Sequence, residues 1–161
     1  MKKFLILFSF LFLLVGCEPK EKKTFSYPME TESSHPVLEV KTENGDSVGL
    51  LIDTGSDFTV INEFYYKINS DMFKLKYNDK LTTITINGEK DMSIPVVKTT
   101  FNDSVEATLH VMDILPLSQT LTKRNKINII GILGSDFFNE KDVILNFKND
   151  TIYIKENIKK K

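Results

Sequence analysis

The chain has 161 residues, with 21 Lys and Arg against 22 Asp and Glu for a formal net charge of −1, and 41% of it is hydrophobic; this fits one modest globular domain, not a disordered polymer. The single cysteine, Cys17, excludes intrachain disulfides and cysteine-based metal clusters. Aromatic residues are frequent at 11%, but no basic patch interleaves with them, so nucleic acid is not an expected partner.

The amino terminus reads Lys2-Lys3, then an apolar run from Phe4 to Val15 broken only by Ser9, then Gly16-Cys17. That run is too short to span a bilayer as a helix and has the layout of a secretory signal, with small Gly16 at the cleavage point. Leu14-Val15-Gly16-Cys17 resembles a bacterial lipobox, which implies that residues 1–16 are removed and Cys17 becomes the lipid-modified first residue. Cleavage would take Lys2 and Lys3 from the 21 basic residues and none of the 22 acidic ones, moving the net charge from −1 to −3. The expected location is the cell envelope, anchored to a membrane and facing the periplasm or the cell exterior. Residues 17–35 are polar after the cysteine, carry Pro19 and Pro28 and lack apolar periodicity, the signs of a flexible tether of at most ~60 Å. The alternative is an extra strand packed on the domain through Phe25 and Tyr27.

Residues 36–155 are expected to form one domain, followed by a basic tail at 156–161. Val37-Val40 and Val48-Ile52 flank Glu43-Asn44-Gly45-Asp46, a hairpin signal. Thr59-Ile61 continues as a strand, and Asn62 is placed to cap a short helix through Ile68. Leu81 to Ile86 and Met92 to Val97 flank Asn87-Gly88 as a second hairpin, in which Pro95 marks an edge or a bulge. Val105-Val111, Ile127-Ile130, Val143-Phe147 and Thr151-Ile154 supply further strands. Many short strands with frequent turns and one or two short helices predict an all-β barrel or sandwich.

Chemistry concentrates in Leu50-Leu51-Ile52-Asp53-Thr54-Gly55-Ser56. Three apolar residues in a row cannot alternate between core and solvent, so this strand is expected to be covered on both faces, delivering Asp53 to a partly desolvated floor. Thr54 can bond backbone groups, Gly55 can take dihedrals closed to other residues, and the Ser56 hydroxyl is near enough to orient the acid. About eighty residues on, Asn128-Ile129-Ile130-Gly131-Ile132-Leu133-Gly134-Ser135-Asp136 is an apolar strand that breaks at glycines and passes into a short helix. Together the two segments resemble those of retropepsin-like aspartic proteases, in which an apolar-apolar-Asp-Thr-Gly-Ser/Ala loop precedes a flap and an apolar-apolar-Gly segment.

That resemblance, over roughly Val37 to Ile154, implies a closed acid-protease barrel and an endopeptidase acting on peptide or protein substrates without a cofactor or metal. It implies Asp53, Thr54 and Gly55 as catalytic-loop residues. Ser56, Ile84, Ile86, Gly88, Ile132 and Gly134 would be substrate-binding, with the second hairpin as flap. Peptide hydrolysis in this family takes two carboxylates sharing one proton, and the chain supplies one Asp-Thr-Gly, so the implied active form is a homodimer with Asp53 of each copy at the twofold axis. Thr54 would bond across that axis. Asp57 lies past the turn and Asp136 reads as part of a helix amino terminus, so neither replaces a second aspartate. The alternative function is a non-catalytic, peptide-binding envelope lipoprotein on the same fold.

Other chemistries find less footing. His35 precedes a proline and His110 lies in a strand pattern with no Gly-x-Ser-x-Gly loop to present a serine. The Gly131–Ser135 segment lacks the Gly-Lys-Ser/Thr of a phosphate loop, and no alternating set of oxygen ligands closes around a cation. The charged end Lys155-Glu156-Asn157-Ile158-Lys159-Lys160-Lys161 departs from the apolar termini that interlace in viral members of the family.

Overall fold

The run that carries Asp53 is β3 (Ser47–Ile52), and its burial follows from its composition. Leu50 and Ile52, at 1% and 6% exposure, enter one apolar cluster, while Leu51, at 5%, enters a second cluster on the opposite face. A strand without a polar face needs both faces covered, as expected.

The computed structural model describes residues 22–31, 35–85 and 88–157. In chain order the elements are β1 (Lys22–Glu30), β2 (Val37–Lys41), β3, β4 (Val60–Asn62), α1 (Glu63–Ile68), a 3-10 turn (Ser70–Met72), β5 (Lys74–Thr85), β6 (Gly88–Phe101), β7 (Val105–Met112), α2 (Leu115–Asn125), β8 (Ile129–Leu133), α3 (Ser135–Glu140), β9 (Asp142–Asn146) and β10 (Thr151–Asn157). The strands form one sheet in the order β5-β6-β7-β4-β8-β3-β2-β1-β10-β9. Its larger core lies on the face carrying Leu38, Leu50, Ile61, Leu109 and Leu133, and the smaller one on the face of Val37, Leu51, Val60 and Ile132.

The mostly β fold is as expected, but the sheet does not show the closure expected of a barrel. Closure requires the outermost strands to pair, and here β5 and β9 stand as two open edges among the described residues. The tether reading is corrected as well, because Lys22 to Pro28 pair antiparallel with β10 and Met29 and Glu30 pair with β2. Phe25 and Tyr27 are half-buried on one side of β1, and the Tyr27 hydroxyl lies 3.0 Å from Ser104 Oγ. The strand's polar residues alternate outward, as suits one solvated face, and this weak pattern reads as linker without a partner strand in view. The basic tail starts later than expected, since Glu156 and Asn157 still pair with Lys23 and Lys22.

The helices follow local signals to different degrees. Asn62 caps α1 by accepting the Phe64 N–H at 2.9 Å, as its sequence position suggested. The eleven-residue α2 was absent from the expected elements. It buries only Ser118 and Leu121, too narrow an apolar stripe to stand out in sequence. Its signals were Pro116 in the first turn and Lys123 and Arg124 in the last. Two hydrogen bonds dock it on β8: Ser118 Oγ donates to Ile129 O at 2.5 Å, and Ile129 N–H to Thr122 Oγ1 at 2.9 Å.

The second hairpin is longer than expected, starting at Lys74 and returning to Phe101. Pro95 lies one residue beyond the last β6–β7 pair, Val96 with His110, where only β5 flanks the strand and a missing N–H costs no ladder bond.

Candidate active site

Strand β8 is flanked by β3 on one side, in parallel, and by β4 on the other, antiparallel. The chain leaving β3 at Ile52 and entering β4 at Val60 must therefore cross the end of β8, and residues 53–59 are that crossing. Close approach at the crossing and at the start of β4 explains two glycines. A Cβ on Gly131 would lie 2.3 Å from Val60 O, and one on Gly134 would lie 2.4 Å from both C and O of Phe58 and 2.9 Å from Ser56 O. Backbone crosses backbone there, and only glycine leaves room.

Hydrogen bonds then lock the crossing. Asp53 N–H donates to Leu133 O at 3.0 Å, and Ser135 N–H donates to Ser56 O at 2.7 Å. Buried Thr59 accepts the Gly134 N–H at 3.0 Å through Oγ1 and donates the same hydroxyl to Asp136 Oδ1 at 2.6 Å. Asp136 Oδ1 also accepts the Phe137 N–H at 2.7 Å, in the first turn of α3, where a negative charge suits the helix dipole. The loop is thereby fixed at both ends and in the middle by partners some 75 residues away in sequence.

Within the loop, Gly55 N–H donates to Asp53 Oδ1 at 3.0 Å and Ser56 N–H to Asp53 O at 3.2 Å. Two local expectations change here. The hydroxyl expected to orient the acid belongs to Ser56, yet Ser56 Oγ donates to Phe58 O at 2.9 Å and the acid is oriented by the backbone of Gly55. Gly55 does not take the left-handed conformation, which among the described glycines is found only at Gly45, φ +85°. What a side chain at Gly55 would meet is Asp53 Oδ1, at 3.3 Å from the Cβ. Asp53, Thr54 and Gly55 are exposed in the single chain, so no desolvated floor surrounds the carboxylate within one copy.

Of the other expected site residues, Ile132 and Gly134 are buried beneath the loop, and Ser56 is half-buried in it. Ile84 stands on β5 opposite Glu89, and Gly88 opens β6 opposite Thr85. Ile86 and Cys17 lie outside the described residues. Three residues that fix the loop were not singled out for that role in sequence: Thr59, Asp136 and Phe58. Their signal was the phase of Thr59, a buried polar position one residue before an apolar strand, which demands a hydrogen-bond partner. Among the described residues no three His, Cys, Asp or Glu side chains gather as a metal ion would require, and no helix is long and apolar enough to cross a membrane.

No protein-family model matches the chain, and no curated protein matches it. Solved structures do match. One is a retropepsin-like aspartic protease from Rickettsia conorii, 14% identical, with a TM-score of 0.47 over 84% of this chain and 92% of that one.

Proposed function

We propose that this protein is a retropepsin-like aspartic endopeptidase, active as a homodimer and held at the bacterial cell envelope by a lipid on Cys17. The observation that carries the reading is the Asp53 loop: an exposed carboxylate, oriented by the Gly55 N–H, on a crossing clamped over Gly134 by backbone and by Thr59. A turn that merely ended a strand would have no need of glycines under it and a buried hydroxyl beside it.

In this reading two copies bring their Asp53 carboxylates together, and each provides the wall that the other lacks. Two carboxylates at close range cannot both ionise, so the pair holds one proton. The ionised member takes a proton from water as that water attacks the peptide carbonyl carbon, and the protonated member donates to the carbonyl oxygen. The tetrahedral intermediate then collapses as the amide nitrogen is protonated and the C–N bond breaks. No acyl-enzyme forms. Titration belongs to the pair and not to either residue. The β5–β6 hairpin serves as the flap, laying an extended peptide along its backbone as an added strand.

The test is incubation of the chain lacking residues 1–17 with a diverse peptide library across roughly pH 3 to 7, spanning carboxylate titration, with new termini read by mass spectrometry. Cleavage that pepstatin-type inhibitors block, and whose specific activity falls on dilution, supports a dimeric aspartic protease. Peptide binding without cleavage, unaffected by loss of the Asp53 carboxylate, establishes the binding lipoprotein instead.

A further inference from the structure

His110 on β7 is the one buried histidine among the described residues, with a side chain 7% exposed, and the chemistry at Asp53 makes no use of it. Its main chain and its side chain engage different elements. The His110 N–H donates to Thr59 O at 2.8 Å, at the end of the catalytic loop, and its ring packs on Phe58 with centroids 4.7 Å apart at 56°. Its Nε2 lies 3.3 Å from Asp79 Oδ2 on β5, the edge strand of the hairpin. Asp79 is held in turn by the Lys80 N–H, 2.8 Å from Oδ1.

Strand pairing shows why that contact reaches so far. Val60, His110, Val96 and Ile94 share one face of the sheet, since Val60 pairs with His110, His110 with Val96, and Ile94 follows two residues before Val96. Asp79 pairs with Ile94. The imidazole therefore spans β6 to reach a carboxylate two strands away. An ionised carboxylate only accepts, so Nε2 is the donor. Nδ1 is buried without a hydrogen-bond partner, which leaves Asp79 as the ring's polar anchor.

We infer that His110 is a positioning residue: it ties the base of the β5–β6 hairpin, through Asp79, to the loop that presents Asp53, through Thr59 and Phe58, and so sets the height of the hairpin above the catalytic loop. It touches no reacting atom. The inference deepens the protease reading and rests on it for the kinetic consequence only, since the tie itself is a property of the resting protein.

The experiment uses the full chain in detergent micelles and has two arms. Hydrogen exchange without substrate compares wild type with His110→Leu, His110→Gln and Asp79→Ala, the last altering a residue whose side chain is 37% exposed. The glutamine amide nitrogen can occupy the Nε2 position and donate to Asp79. Leu and Ala variants are expected to speed exchange in β5 and β6 by about tenfold while leaving β1 and β10 unchanged, as loss of one charge-assisted hydrogen bond would do. Glutamine should restore the wild-type pattern, and His110→Leu with Asp79→Ala should be no worse than either alone. In the kinetic arm, peptide cleavage should show KM raised about tenfold with kcat within about twofold. Unchanged hairpin exchange, exchange that rises equally across the whole sheet, or a glutamine variant as loose as leucine would each overturn the inference. If wild type cuts no peptide, the protease reading fails, while the exchange arm still decides the tie.

Discussion

Thr59 donates to Asp136 Oδ1 at 2.6 Å across 77 residues of sequence, and its same oxygen accepts the Gly134 N–H. One fully buried hydroxyl thereby joins the Asp53 loop, the end of β8 and the first turn of α3. The Gly134 N–H is buried away from water while Asp136 is only half-buried, so the hydroxyl matters most as the partner that lets that N–H pack under the loop.

Thr59→Val keeps the shape and removes the bridge, leaving the buried Gly134 N–H without its partner while Asp136 Oδ1 keeps the Phe137 N–H. A loss of about 2 kcal/mol is expected in denaturant unfolding, with Thr59→Ser retaining most of it. Equal loss in both variants would show that the methyl packing matters and the hydroxyl does not.

Gly134→Ala places a Cβ 2.4 Å from Phe58 backbone, which no side-chain rotation relieves. The crossing must open, at a cost of about 3 kcal/mol or more. The measurement is the urea midpoint, and a shift below about 1 kcal/mol would mean that the loop does not lie on this glycine.

Asp53→Asn should leave stability within about 0.5 kcal/mol, because the residue is exposed and the amide oxygen can still accept from Gly55. Peptide cleavage should vanish, since an amide neither takes a proton from water nor shares one. Excess Asp53→Asn chains should also poison wild type through mixed dimers with one working carboxylate. Activity that survives in a pure preparation, or that resists poisoning after subunit exchange, removes the paired-Asp53 mechanism.

Deleting residues 22–30 tests the corrected domain boundary. β1 is the strand between β2 and β10, so its loss detaches β10 and β9 from the rest of the sheet and exposes Ile152 and Ile154. Insoluble or molten protein is expected, judged by lost near-ultraviolet circular dichroism. A cooperative unfolding transition equal to wild type would restore the tether reading for this segment.

Cys17→Ala should free the protein from membranes or stall it with its signal uncleaved, because the proposed lipid attachment needs that thiol. Fractionation after a high-salt wash reads the outcome. Mature alanine variant that still sediments with membranes would place the anchor elsewhere.

What the sequence determined by itself is what short-range rules govern. The apolar triplet Leu50-Leu51-Ile52 requires cover on two faces, Asn62 caps the helix that follows it, and Pro95 marks the place where a neighbouring strand stops. The segments around Asp53 and Gly134 were paired in the sequence by their resemblance to the loop and glycine segment of a known family, and the structure sets Gly134 against the backbone of Ser56 and Phe58. Tertiary structure decided the rest. Whether Phe25 and Tyr27 belong to a linker or a strand depends on β10, more than 120 residues away in sequence. Ser56 could reach either Asp53 or Phe58 O, and the choice fell to the carbonyl pressed against Gly134. Leu115–Asn125 became a helix because hydroxyls of Ser118 and Thr122 find the backbone of Ile129, a contact no periodicity encodes. Local propensity differs among these alternatives by little, so the partner that supplies a hydrogen bond or a buried face selects the outcome.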